Sequence, residues 1–208
     1  MSNSGQHQVV ETSLPDVDSK LRAIGAHRIL DLSLTALFCS VRCPGDLILK
    51  TYDLARLLRD AGVPVIAGFQ SPMEKDCLEI LLRGKQPAVV CPARGVGLMR
   101  VPSAWRAPIE DGRLLVVSPF DDSQRRVTAK LARERNEFVA RLARALLLIH
   151  AAPGGKTEQL ARRTLADGKP VFTLESPNNA NLIELGIRPV QVADVPNLLT
   201  ETLETSSD

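Results

Sequence analysis

Aromatic side chains are scarce in this chain: one Trp, one Tyr and five Phe make up 3% of its 208 residues. Capturing nucleobases by stacking needs exposed π faces. Only Phe69, Trp105, Phe120 and Phe138 are placed to offer them. Long apolar runs are missing too. No stretch reaches the roughly 18 residues that span a bilayer, and the opening MSNSGQHQVVETS lacks a basic-then-apolar signal pattern. A cytoplasmic chain with no membrane partner is expected. The four cysteines, Cys39, Cys43, Cys77 and Cys91, form no CxxC, and read as free thiols of a reducing compartment.

Catalytic signatures are equally thin. There is no GxSxG elbow and no HExxH, and His7, His27 and His150 lack metal-ligand spacing. The segment Pro153-Gly154-Gly155-Lys156-Thr157 is not a P-loop, because GxxxxGK[ST] needs a glycine five residues before its GK. GxGxxG is also absent. Nothing in the residues calls for a metal or a cofactor, and catalytic residues are not assigned.

What the chain has is alternation. Short apolar, β-capable runs at Ser33–Ser40, Val63–Ala67, Pro87–Cys91, Leu114–Ser118, Ala145–His150, Pro170–Leu174 and Pro189–Val192 are separated by helical patterns. Those patterns fall at Asp46–Ala61, Pro72–Leu82, Ser123–Ala143, Thr157–Ala166, Asn179–Leu185 and Pro196–Leu203. Strands apolar on both faces predict an α/β, Rossmann-like, doubly wound and mostly parallel sheet with helices on both faces. Residues 92–111, punctuated by Gly95, Gly97, Pro102 and Pro108, read as irregular. The expected organisation is a flexible N-terminal segment over 1–20, one domain over 21–193 and an acidic tail over 194–208.

Charge is unevenly spread. Residues 1–20 carry −2 and residues 191–208 carry −4, so the body between them carries +8 against a net +2. Most of those bases are arginines, whose planar fork suits phosphate. In a parallel sheet, sites form at the carboxyl ends of the strands, where helix N-termini leave free N–H groups. The strand-to-helix junctions supply Ser40, Arg42, Gly68, Ser71, Arg94, Ser118, Gly154, Gly155, Lys156 and Thr157, a set of hydroxyls, cations and glycine turns suited to phosphate. Arg135-Asn136 lies one element upstream of the last turn. At helical spacing Arg126, Lys130, Arg133, Arg141 and Arg144 share one side, broken only by Glu137. That face either tracks a phosphate backbone or is an ordinary solvated surface on which Glu134 and Glu137 make local pairs.

The succession of these motifs resembles the DprA/Smf (DNA-processing protein A) family, a branch of the DprA/LOG (SLOG) group. Ser40 and Arg42 follow strand one, Ala67-Gly68 follow strand two, then come Arg135-Asn136 and Gly154-Gly155-Lys156-Thr157. Gly168-Lys169-Pro170-Val171-Phe172 matches the family's GR-x-V-F strand, and Asn181-Leu182-Ile183 with Gly186 matches its N-x-L-I-x-x-G segment. The resemblance covers about residues 33–192. Cys39 stands where the family has glycine, Val41 separates Ser40 from Arg42, and Gln70-Ser71-Pro72-Met73-Glu74 replaces a GID-x-x-AH segment. The resemblance implies a non-catalytic protein that binds single-stranded DNA through its phosphates and acts as a homodimer, with a recombinase as partner, in recombination, transformation or phage defence. Two alternatives stand beside it. One is a LOG-like nucleotide phosphoribohydrolase or nucleotide sensor, for which Pro153-Gly154-Gly155 matches PGGxGT but the second glycine is missing and Glu158 falls early. The other is an antitoxin-like partner of a toxin or defence effector.

Overall fold

The computed structural model describes residues 9–14 and 17–204. In chain order its strands are β1 (Val10–Leu14), β2 (Val17–Gly25), β3 (Thr35–Cys39), β4 (Val65–Ala67), β5 (Ala88–Val90), β6 (Leu114–Ser118), β7 (Ala145–His150), β8 (Val171–Leu174) and β9 (Arg188–Val190). Its helices are α1 (Gly45–Asp60), α2 (Pro72–Leu81), α3 (Ser103–Glu110), α4 (Ala129–Leu142), α5 (Lys156–Ala166), α6 (Ala180–Glu184) and α7 (Val195–Glu204). One nine-stranded sheet runs β1-β2-β6-β5-β4-β3-β7-β8-β9. From β6 to β9 every pairing is parallel, while β2 pairs antiparallel with both β1 and β6.

The strands are apolar on both faces because both faces are covered. Along β7, Leu147 and Ile149 enter one core with Leu54 and Leu58 of α1 and Leu78 and Leu81 of α2. Leu146 and Leu148 enter the other, with Phe138 and Val139 of α4 and Leu160 of α5. Right-handed crossovers explain the split. The chain winds β3→β4→β5→β6 in one direction, then α4 carries it back past β3 to β7, which places α4, α5 and α6 on the opposite face, while α7 returns to the face of α1. The doubly wound sheet predicted by the alternation is the one observed.

Three differences have physical causes. The N-terminal segment through residue 20 read as flexible, yet β1 and β2 form a hairpin there, and β2 runs on to Gly25. β1 is the edge strand and β2 lies beside it; Val10–Leu14 and the first half of β2 mix apolar with polar residues, so their composition reads as loop rather than as a buried strand. The first eight residues lie outside the described ones. Helix α3 occupies part of 92–111, which its prolines marked as irregular. Pro102 is its N-cap, and Pro108 lies inside it, where it offers no N–H to the Ala104 carbonyl, so the helix stays short, at eight residues. Finally, α4 starts at Ala129 rather than near Ser123, because Thr128 caps it by accepting from the Leu131 N–H at 3.1 Å.

Candidate nucleic-acid interface

The strand order reverses between β3 and β7, and in open parallel sheets the crevice outside the carboxyl ends at that point is where ligands sit. The two strands pair through Thr35↔Ala145 to Phe38↔Leu148, then shift register at Cys39↔His150. Beyond the shift, the Ser40 N–H donates to His150 O at 2.9 Å, and Ser40 Oγ accepts from the Ala152 N–H at 3.1 Å. Ser40 thus ties the β3 loop to the glycine turn after β7. Two residues on, Arg42 is exposed.

The glycine turn is built in detail. Gly154 has φ +68°, a left-handed conformation that favours glycine. The Gly155 N–H donates to Ala152 O at 2.9 Å. Glu158, 7% exposed, folds back so that its Oε2 accepts from the Gly154 N–H at 3.2 Å and from Asn181 Nδ2 at 2.5 Å. Asn181 Nδ2 also donates to Ala151 O at 3.1 Å, and Gln159 Nε2 donates to Gly154 O at 3.1 Å. Helix α5 then starts with Gly155 as N-cap and no side-chain cap, so the first-turn N–H groups of Lys156, Thr157 and Glu158 have no intrahelical acceptor. The Lys156 side chain is exposed.

His150, at the end of β7, is buried, and its protonation geometry follows from its neighbour. Asn179 Nδ2 donates to Ile149 O and Leu174 O, each at 2.9 Å. The Asn179 amide oxygen must therefore face His150 Nδ1, 3.0 Å away. An oxygen only accepts, so Nδ1 carries the hydrogen, and in the neutral ring Nε2 holds a lone pair.

Two buried charges bridge the carboxyl edge from opposite faces. From α2, Glu74 accepts from the backbone N–H groups of Cys39 at 3.0 Å and Gln70 at 2.9 Å, and closes a capping box with Ser71. Burial pushes its carboxyl up, opposed by those N–H groups and by Arg135. From α4, Arg135 is 4% exposed, and its Nη1 donates to Cys91 O at 2.9 Å while Nε donates to Asn136 Oδ1 at 2.7 Å. Burial lowers its affinity for its proton, offset by Cys91 and Glu74. The guanidinium lies against Gly68, where a Cβ would come within 1.5 Å of Nη1. The next residue, Phe69, is buried at φ +48°, a strained conformation for a bulky side chain and one that clusters at functional sites.

The predicted site residues divide accordingly. Ser71 caps α2. Ser118 is fully buried, donating to Arg94 O at 2.8 Å and accepting from the Phe120 N–H at 3.1 Å. Gly68 and Arg135 pack on each other. Arg133, Asn136 and Lys156, drawn from three separate features of the sequence, come together in one groove of about 90 Å³ between α4 and the start of α5, beside Glu137 and Arg163. Of the basic face, Lys130, Arg133 and Arg141 lie exposed on α4, with Arg126 in the loop before it and Arg144 just after it. Because α4 runs back across the sheet, Arg126, Lys130 and Arg133 stand towards the carboxyl edge. Arg144, whose N–H donates to Leu34 O at 2.8 Å, stands at the opposite edge. Local pairing exists as well: Lys130 lies 3.9 Å from Glu134, and Arg163 donates to Glu137 at 3.0 Å. The Arg141 guanidinium sits 5.9 Å from the Phe138 ring centroid.

Glu74, Asn179 and the supporting role of Arg135 were not legible as such in the sequence. Their only signal is the Ser71-x-x-Glu74 capping spacing; Asn179 lies two residues before the Asn181-Leu182-Ile183 match and outside it. Cys39 and Cys43 are close enough for their thiols to hydrogen-bond; that bond, with burial, pushes Cys39 up, and it draws Cys43 down against the opposing effect of burial. Among the described residues no group of three His, Cys, Asp or Glu side chains is arranged to hold a metal ion. No helix among them is long and apolar enough to cross a membrane.

No family model matches this chain and no curated protein matches it. Solved structures do. DNA processing protein A from Helicobacter pylori, described for its single-stranded DNA binding mode, superposes with a TM-score of 0.78 at 18% identity, over 98% of this chain and 100% of that one. DNA processing protein A from Streptococcus pneumoniae gives 0.71 at 17% identity, over 85% of this chain and 65% of that one. The molybdenum cofactor binding protein from Rippkaea orientalis gives 0.58 at 11% identity, over 82% and 96%. At these identities the likeness speaks for architecture, and this chain has the Rossmann-like α/β fold of DNA processing protein A.

Proposed function

We propose that the chain binds single-stranded DNA along the carboxyl edge of its sheet, by side-chain cations on backbone phosphates and without catalysing a reaction. One observation carries the reading: Arg133, Asn136 and Lys156 share a groove at the start of α5. Exposed Arg42 on the β3 loop, with Lys130 and Arg126 near the start of α4, extends the positive surface. The fold shared with DNA processing protein A supports it. The shortage of aromatics makes this a charge-driven contact, so affinity should fall steeply with salt and vary little with base sequence.

Fluorescence anisotropy of a labelled oligothymidine, titrated at low and moderate salt with AMP and GMP as competitors, tests it. Salt-sensitive binding that the monophosphates do not displace supports the reading. Absence of binding at low salt, or full displacement by either monophosphate, refutes it.

A further inference from the structure

The turn at 153–155 has the form of an anion cradle: a left-handed glycine, a second glycine and an uncapped helix behind them. The N–H groups of Lys156, Thr157 and Glu158 in the first turn of α5 have no intrahelical acceptor, but those of the glycine turn itself are all taken. Pro153 has none. The Ala152 N–H is taken by Ser40 Oγ, the Gly155 N–H by Ala152 O and the Gly154 N–H by Glu158 Oε2. The group standing where an external anion would sit is therefore the chain's own carboxylate. It is held on one side by Gly154 and Asn181, with its other oxygen 3.7 Å from Arg162. The Glu158 side chain is 9% exposed, so it is part of the turn's packing. A carboxylate in the first turn also suits the helix dipole, as a bound phosphate would.

We propose that Glu158 is a specificity-determining residue: its carboxylate fills the anion position of the glycine turn and excludes terminal phosphates from it. A phosphate monoester carries up to two negative charges and would have to displace a buried carboxylate from both of its donors. An internal phosphodiester of a passing strand carries one, and can be met by Lys156, Arg133 and Arg42 from outside the turn. The crevice thereby favours strand interiors over strand ends, nucleoside monophosphates and orthophosphate. The preference among DNA ligands rests on the single-stranded DNA reading above, whereas the exclusion of phosphate from the turn does not.

Two assays separate these claims. Titration calorimetry with orthophosphate is run on the wild type, on Glu158→Ala, which removes both charge and bulk, and on Glu158→Gln, which keeps the bulk. Anisotropy then compares 5′-phosphorylated with 5′-hydroxyl oligothymidine. The expected result is no saturable phosphate binding by the wild type and saturable binding by Glu158→Ala, at least tenfold tighter than the weakest affinity the titration detects. A smaller gain is expected in Glu158→Gln, which decides the matter should the alanine variant fail to fold. The 5′-phosphate should make no difference to the wild type and should improve binding by the variants. Orthophosphate binding by the wild type as tight as by the variants, or no gain in folded variants, overturns the proposal. Failure of every form to bind oligothymidine would sink the DNA reading alone, leaving the orthophosphate comparison to decide the role of Glu158.

Discussion

Arg135 separates a phosphate ligand from a structural charge, and its truncation has a calculable cost. The side chain is 4% exposed and donates to Cys91 O at 2.9 Å and to Asn136 at 2.7 Å. Arg135→Ala removes a charged hydrogen bond to a buried carbonyl, worth about 1.5–3 kcal/mol. It also withdraws the Arg135 charge from near the buried Glu74 carboxylate, which keeps its bonds from the Cys39, Gln70 and Ser71 N–H groups. The lost hydrogen bond therefore sets the scale, and a total of about 3 kcal/mol is expected, the upper end of that range. In a domain of this size each kcal/mol moves the melting midpoint by about 2–4 °C, so Arg135→Ala should melt roughly 6–12 °C below the wild type. Urea and thermal unfolding followed by circular dichroism give the measurement. The double variant Glu74→Gln/Arg135→Met, which buries neither charge, should recover part of the loss. If Arg135→Ala melts with the wild type but loses affinity for oligonucleotides, Arg135 faces the ligand and the structural assignment is wrong.

Other substitutions read out neighbouring features. Lys169 Nζ donates to Ala140 O at 2.6 Å, Arg141 O at 3.0 Å and Ala143 O at 2.6 Å, closing the C-terminal end of α4. Lys169→Met should therefore cost about 1–3 kcal/mol in urea unfolding while leaving oligonucleotide affinity within twofold. The acid limb has a definite sign. Hydrogen bonds from Ser176 and Asn178 hold the exposed Asp46 carboxyl below its usual range, so its contribution is present above the unfolded value and lost as pH falls through the folded one. Asp46→Asn should accordingly lose less stability than the wild type on acidification from pH 5 to about pH 3. Glu74 works the other way. Burial raises its carboxyl, so its share of stability grows as pH falls through the raised value and is least above it. Melting temperatures across that pH series should lose this opposing gain in Glu74→Gln.

The alternation of apolar runs with helical stripes was enough to read the parallel sheet. The central runs, such as Leu114–Val117 and Ala145–Ile149, are covered on both faces and so stay apolar, whereas the edge strand β9 exposes Arg188 and Pro189. The β1–β2 hairpin escaped because its strands mix polar and apolar residues at the margin of the sheet, and α3 escaped because Pro102 precedes it and Pro108 lies inside it. Within the site, exposed cations such as Arg42, Arg133 and Lys156 were legible from motif positions. Whether a given arginine faces solvent or the edge of the sheet was not. Arg133 and Arg135 are two residues apart on one helix, about 200° around its axis, and one is exposed while the other is buried against Gly68. Nor does the spacing of Gly154 and Glu158 announce that the carboxylate turns back to the glycine N–H. That contact needs the helix to start at Lys156 and Asn181 to arrive from α6.

The most direct test of the central claim is anisotropy of labelled oligothymidine against salt, comparing the wild type with Arg42→Ala/Arg133→Ala/Lys156→Ala. All three side chains are exposed at the carboxyl edge, so the variant should melt with the wild type. With three phosphate contacts gone, its affinity should fall at low salt, and the slope of log affinity against log salt should become shallower by about 2, at about 0.7 per contact on a single strand. A variant that binds as tightly as the wild type, with the same slope, would place the DNA elsewhere on the molecule or nowhere on it.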